Sequence, residues 1–149
     1  MLTDLDEAAL QTYRSSVVDP PDFDEFWART LESARGHELG AAFEPVDPML
    51  ATVEVFDVTF AGFGGHPIRG WLYLPRYATG SLPAVVQFEG YGGGRGHVYE
   101  SLLWSAAGYA HLKMDTRGQG SSYRRGATGD PVGPSGPALV YHDRAYKRV

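Results

Sequence analysis

Apolar residues along this chain recur with two different periods, and the places where the period changes mark its elements. Residues 4–13 carry a helical pattern, with Thr3 placed to cap it. Asp19-Pro20-Pro21 then breaks the chain. From Asp22 onward, Phe23, Phe26, Trp27, Thr30, Leu31 and Ala34 fall on one face of a 3.6-residue repeat. Glu25 completes a capping-box pattern with Asp22, and Gly36 supplies a stop. The spacing predicts an amphipathic helix whose aromatic face packs into a core. Residues 37–50, with Pro45 and Pro48, read as irregular.

The period then drops to two. In "TVEVFDVTF" Val53 and Val55 share one face, whereas Phe56, Val58 and Phe60 share the other. The phase change at Phe56 predicts either a bulge or burial on both faces. Gly62, Gly64 and Gly65 form a turn, and "IRGWLYLP" returns as a second strand with Ile68, Leu72 and Leu74 on one side. The two make an antiparallel hairpin. "PAVVQF" is a continuous apolar run, the mark of a central strand covered on both faces. Val98–Ala107 has helical spacing and ends at Gly108; "YAHLKMD" is the next strand. Strand, loop, helix and strand make a βαβ unit with parallel strands. From residue 117 to 137 glycine and proline dominate, and the stretch reads as a long loop, followed by "YHDRAYKRV" as a helix start. The organisation is one partial α/β domain over 1–149. It comprises a helical segment and linker (1–50), half a sheet (51–116), and a Gly/Pro-rich loop and tail (117–149).

Composition narrows the function classes. The net charge of −5 argues against nucleic acid and anionic membrane as partners. Absence of cysteine excludes disulfides, thiolate metal sites and a cysteine nucleophile. The acidic start "MLTDLD" has neither a basic leader nor a long apolar run, so the expected location is the cytoplasm.

The segment that calls for a chemical reason is "QFEGYGGGRGH", with five glycines directly after an apolar strand. Glycine serves where backbone takes unusual dihedrals or approaches something closely. A dinucleotide fingerprint fails in every register: the sixth position is Arg95, His97 or Tyr99. No Gly-Lys pair exists for a phosphate loop of the Walker type. An anion site at a helix N-terminus, assisted by Arg95, is the remaining phosphate reading. The alternative is an oxyanion loop, in which fixed backbone N–H groups meet the negative oxygen of an acyl-transfer transition state. In hydrolases with an α/β sheet one such N–H follows the third strand. "MDTRGQGSS" follows the next strand, where Arg117 can bind carbonyl or carboxylate groups and brace loops.

Together "DFDEFW", "VEVFDVTFAGFGGHPIRGWLYLP", "GYGGGRG" and "MDTRGQGS" resemble the acetyl xylan esterase and cephalosporin C deacetylase family, carbohydrate esterase family seven, over about residues 5–125. The resemblance implies the N-terminal half of an α/β-hydrolase fold with an incomplete sheet. It implies deacetylation of acetylated carbohydrates or cephalosporins by a Ser-His-Asp mechanism, without cofactor or metal. It also implies that the Tyr91 backbone N–H forms half of the oxyanion hole, with Tyr91 and Gly92 at the substrate. Asp115, Arg117, Gly118 and Gln119 are its structural motif, and a homo-oligomer is the expected assembly.

The family's Gly-x-Ser-x-Gly nucleophile motif does not occur in these 149 residues; "GPSGP" around Ser135 lacks the last glycine. Since the acid and base follow the serine in chain order, the expectation is that this chain alone is inactive. The alternative reading is a non-catalytic truncated fragment or a carbohydrate-binding module. His66, His97, His111 and His142 are not assigned as base, and His111 is expected in the sheet. Asp115 is expected to cap a turn through backbone N–H groups, and Glu89 to be structural. With no fifth strand, "AVVQF" is expected to present an unpaired apolar edge that favours association.

Overall fold

The computed structural model describes residues 4–120 and 124–130. Thr3, Ser135, His142 and the whole tail from residue 131 lie outside the described residues, as does the helix start read in that tail. The chain divides into two compact units, residues 1–33 and 34–149.

In the first unit, α1 (Glu7–Thr12) is capped by Asp6, whose carboxylate accepts the Ala9 N–H at 2.8 Å. The next helix, α2 (Phe23–Arg35), begins just after the two prolines and carries an ion pair between Glu25 and Arg29 one turn apart. Phe23, Phe26 and Trp27 are 41%, 50% and 46% exposed. Within this unit the Trp27 ring meets Phe23, one turn before it, and the adjacent Phe26, each edge to face, at centroid separations of 6.3 and 5.5 Å.

The second unit holds a five-stranded mixed sheet in the order β1-β2-β3-β5-β4. Its strands are β1 (Ala42–Val46), β2 (Val53–Ala61), β3 (Pro67–Pro75), β4 (Ala84–Gln87) and β5 (Ala110–Met114). β1 lies in the stretch read as irregular. Pro45 masked it, yet proline is tolerated in a strand that pairs on one side only, here with β2. The β2–β3 hairpin runs in unbroken antiparallel register from Val53↔Pro75 to Ala61↔Pro67, so no bulge occurs at Phe56. The phase change there reflects burial on both faces: Val53 and Val55 pack with Tyr73 on one, and Val58 is buried on the other. β4 pairs with β5 in parallel, as the βαβ pattern required.

The connection between β4 and β5 is less helical than its spacing suggested. Only α3 (Leu103–Ala106) forms, where a helix over 98–107 was expected. Just before it, Ser101 is engaged by two buried polar side chains of β5. Lys113 Nζ donates to Ser101 Oγ at 2.9 Å, and His111 Nδ1 donates to the Ser101 carbonyl at 3.1 Å. A continuous helix would have used that carbonyl for its own ladder. β4 itself is the outermost strand, not a central one. Val86 and Phe88 are 50% and 71% exposed, so the apolar run marks an open edge.

The glycine-rich segment after β4 is drawn onto the sheet by one buried arginine. The Arg95 guanidinium lies 3.7 Å from the Trp71 ring centroid and donates to Asp57 at 2.7 and 3.1 Å and to the Gly70 carbonyl at 2.8 Å. Arg69 reaches the same carboxylate at 3.1 and 2.5 Å. Trp71 Nε1 donates to the Gly96 carbonyl at 3.1 Å, which ties the segment's far end to β3. A Cβ on Gly94 would run into the backbone of Arg125 and Gly126, so that glycine is there for close approach. Arg95 is thus committed to Asp57, and α3 begins eight residues later in sequence. The anion site read at a helix N-terminus is therefore not formed.

Two outcomes follow. Tyr73 is fully buried, and its hydroxyl has no hydrogen-bond partner among the described residues; burial pushes its pKa up. Tyr73→Phe removes an unsatisfied polar atom and keeps the ring, so stability measured by urea unfolding should stay level or rise by up to about 2 kcal/mol. A clear loss would show that the hydroxyl is bonded. For Asp57, burial opposes ionisation, but the hydrogen bonds and charges of Arg95 and Arg69 together outweigh it and hold the carboxyl below its usual range. A depressed carboxyl contributes stability that is complete above its unfolded pKa and lost as pH falls through the folded value. The stability gap between wild type and Asp57→Asn should therefore stay constant near neutral pH and narrow only as the pH falls below about 4, the ordinary carboxylate value, toward the depressed folded one. A gap that widens on acidification would contradict the assignment.

Candidate active site

Because β4 and β5 run parallel, their C-terminal ends emerge at the same edge of the sheet, and the loops after them lie side by side. The first loop carries Glu89, Gly90, Tyr91 and Gly92; the second carries Asp115 to Gln119. Each is shaped by the other.

Glu89 anchors the first loop. Its carboxylate is 5% exposed and sits 3.3 Å from Lys113 Nζ and 3.0 Å from Arg124 Nη1, while Gln87 Nε2 donates to it at 3.0 Å. Lys113 is fully buried, which is tolerable only with such a counter-charge and the Ser101 hydroxyl. The chain then turns tightly. Gly93 N–H donates to the Gly90 carbonyl at 3.0 Å, and Gly92 takes φ +76° while Tyr91 keeps negative φ. That combination is a type II turn, in which the third position requires glycine. Tyr91 sits at its crest with 76% exposure.

Asp115 holds the root of the second loop and the continuation of the first. One oxygen accepts the Arg95 N–H at 2.6 Å; the other accepts the Ala127 N–H at 2.6 Å and the Thr128 hydroxyl at 3.2 Å. Burial raises its pKa, and the backbone N–H bonds offset part of that rise. Beyond it, Gln119 N–H donates to the Thr116 carbonyl at 3.1 Å, and Gly118, at φ +66°, donates to the Thr128 carbonyl at 3.1 Å. The turn's side chains cross to the first loop. Thr116 Oγ1 donates to the Glu89 carbonyl at 3.1 Å, and Gln119 Oε1 accepts the Gly92 N–H at 2.6 Å.

Gly92 and Gln119 are thus bonded to each other beside Tyr91, while Asp115 joins the continuation of the first loop to the 124–130 segment. Arg117 is not part of that contact set; its Nε lies 3.6 Å from Asp130. His111 is buried and stacked on Tyr73, with its pKa lowered by burial, and His97 stacks on Tyr99. Neither is arranged as a base toward the Tyr91 turn. Sequence reading did not single out Thr116, although it stands inside the quoted "MDTRGQGSS", nor Asp57 as the partner of Arg95. Among the described residues no group of three or more His, Asp or Glu could hold a metal ion, and no helix is long and apolar enough to cross a membrane. The chemical capacity of the arrangement is a rigid main-chain turn at a sheet's C-terminal edge, able to present an N–H to an oxygen that gains charge.

Comparison with known proteins bears on what that turn serves. The solved acetyl xylan esterase from Paenibacillus sp. R4 is 34% identical, covers 89% of this chain and superposes with a TM-score of 0.72. Acetyl xylan esterase 1 from Thermoanaerobacterium sp. JW/SL YS485 is 29% identical over 88% of this chain, with a TM-score of 0.68. The present chain spans 42% of each of those two chains, and its incomplete mixed sheet is the matching part of their α/β-hydrolase-like fold. A family model described as acetyl xylan esterase (AXE1) matches residues 1–141. With nearly its whole length accounted for by that match, the chain belongs to the acetyl xylan esterase family.

Proposed function

We propose that this chain supplies the oxyanion-binding half of a carboxylic ester hydrolase that removes acetyl groups from acetylated carbohydrates or cephalosporins. The observation that carries the reading is the clamped type II turn at Tyr91, on the C-terminal edge of a sheet shared with acetyl xylan esterases. A serine attacks the acetyl carbonyl while a histidine, oriented by an aspartate, takes its proton and passes it to the departing sugar or cephalosporin alcohol; water then cleaves the acetyl-serine and releases acetate. The Tyr91 N–H donates to the carbonyl oxygen as it becomes an alkoxide. Tyr91 and Gly92 line the acyl group; Gln119 holds Gly92, Asp115 and Gly118 anchor the two loops to the 124–130 segment, and Arg117 with Asp130 braces that segment. No Gly-x-Ser-x-Gly motif occurs in the sequence, so the 149 residues by themselves are inactive.

The test is a chimera in which this chain is fused to the remaining part of the Paenibacillus sp. R4 enzyme. The chain alone should hydrolyse p-nitrophenyl acetate no faster than buffer, and the chimera should turn it over. Tyr91→Pro deletes the N–H at a turn position that accepts proline. It should cut kcat of the chimera about 100-fold or more. A folded chimera without turnover, or one indifferent to Tyr91→Pro, would overturn the reading.

A further inference from the structure

We infer that Gln119 is the positioning residue of the Tyr91 turn, acting with Thr116 as a two-point clamp. The inference rests on the ester-hydrolase reading for what the turn does, but its geometry is independent of it. The Gly90–Tyr91 peptide bears the Tyr91 N–H and has one anchored group on each side. Before it, the Glu89 carbonyl accepts the Thr116 hydroxyl at 3.1 Å. After it, the Gly92 N–H donates to Gln119 Oε1 at 2.6 Å. Both anchors issue from a single tight turn, closed by Gln119 N–H to the Thr116 carbonyl at 3.1 Å. That turn is itself fixed to the 124–130 segment through Gly118 N–H to the Thr128 carbonyl at 3.1 Å.

Gln119 does more than fill space in this arrangement. Its side-chain oxygen takes up the N–H of Gly92, the amide next to the one assigned to the substrate. An N–H left unbonded there would compete for the same incoming oxygen and let the turn rotate. The clamp therefore withdraws the Gly92 amide from any incoming oxygen and fixes the turn before substrate arrives. Asparagine, one carbon shorter, does not span from residue 119 to the Gly92 amide without moving the turn. Glutamate keeps the length and the acceptor.

The measurement is residue-resolved amide exchange by NMR on the ¹⁵N-labelled 149-residue chain, comparing wild type, Gln119→Ala and Gln119→Glu. In Gln119→Ala the protection of Gly92 should fall about tenfold or more while Leu112 in β5 keeps its own. Gln119→Glu should restore Gly92 protection and move its amide proton downfield, because a carboxylate accepts more strongly than an amide. Unchanged Gly92 protection in Gln119→Ala would overturn the clamp. So would a parallel loss at Gly92 and Leu112, which would make Gln119 a support of the whole sheet. If Gln119→Ala does not fold, an unshifted Gly92 amide in Gln119→Glu overturns it equally. Ester turnover plays no part in the readout, so failure here leaves the function above standing, and the converse also holds.

Discussion

The Asp115 carboxylate is the interaction on which the site depends. It directly follows β5 and is fully buried, a costly place for a charge. It is tolerated there because two backbone N–H groups, of Arg95 and Ala127, and the Thr128 hydroxyl converge on its oxygens. Those partners belong to two different loops. By satisfying one carboxylate, the fold brings the glycine-rich segment and the 124–130 segment to the same strand end. Arg95, fixed at its backbone by Asp115, then swings its guanidinium onto Trp71 and Asp57. A second tether to the sheet results. Glycine at 94 is what allows the two segments to approach so closely.

The Tyr91 turn is a consequence of that framework. Its own closure is a single hydrogen bond, which would not hold a surface turn in one orientation. Orientation comes from the neighbours: Glu89 is bound below by Lys113 and Arg124, and Thr116 and Gln119 reach across from the adjacent loop. On the proposed reading, a preorganised donor of this kind contributes to catalysis because it needs no rearrangement when charge develops. The remaining parts of such a mechanism are not encoded in a motif within these residues. The open side of β4, with Val86 and Phe88 exposed, is the corresponding structural sign of a sheet that is incomplete.

Much of this was legible in the sequence, and what was not has specific causes. The β2–β3 hairpin and the parallel β4–β5 pair could be read because their alternation and turn glycines act locally. The family resemblance rested on glycine and charged residues whose spacing is set by the same loop contacts. β1 was hidden by Pro45, since a propensity rule cannot know that a strand will lie at an edge. The spacing over 98–107 overestimates the helix, and the bonds of Lys113 and His111 to Ser101 at its start come from residues distant in sequence. Thr116 and Gln119 were visible as letters of a motif, but their hydrogen bonds to Glu89 and Gly92 span 27 residues and exist only in three dimensions.

The central claim is that two loops share one buried carboxylate. Native-state amide exchange of the wild-type chain examines it directly at Arg95 and Ala127. Both amides should be protected, and both should open with the same free energy, because a single event releases them. Exchange at the rate of an unstructured peptide at either position, or protection at one and not the other, would contradict the account.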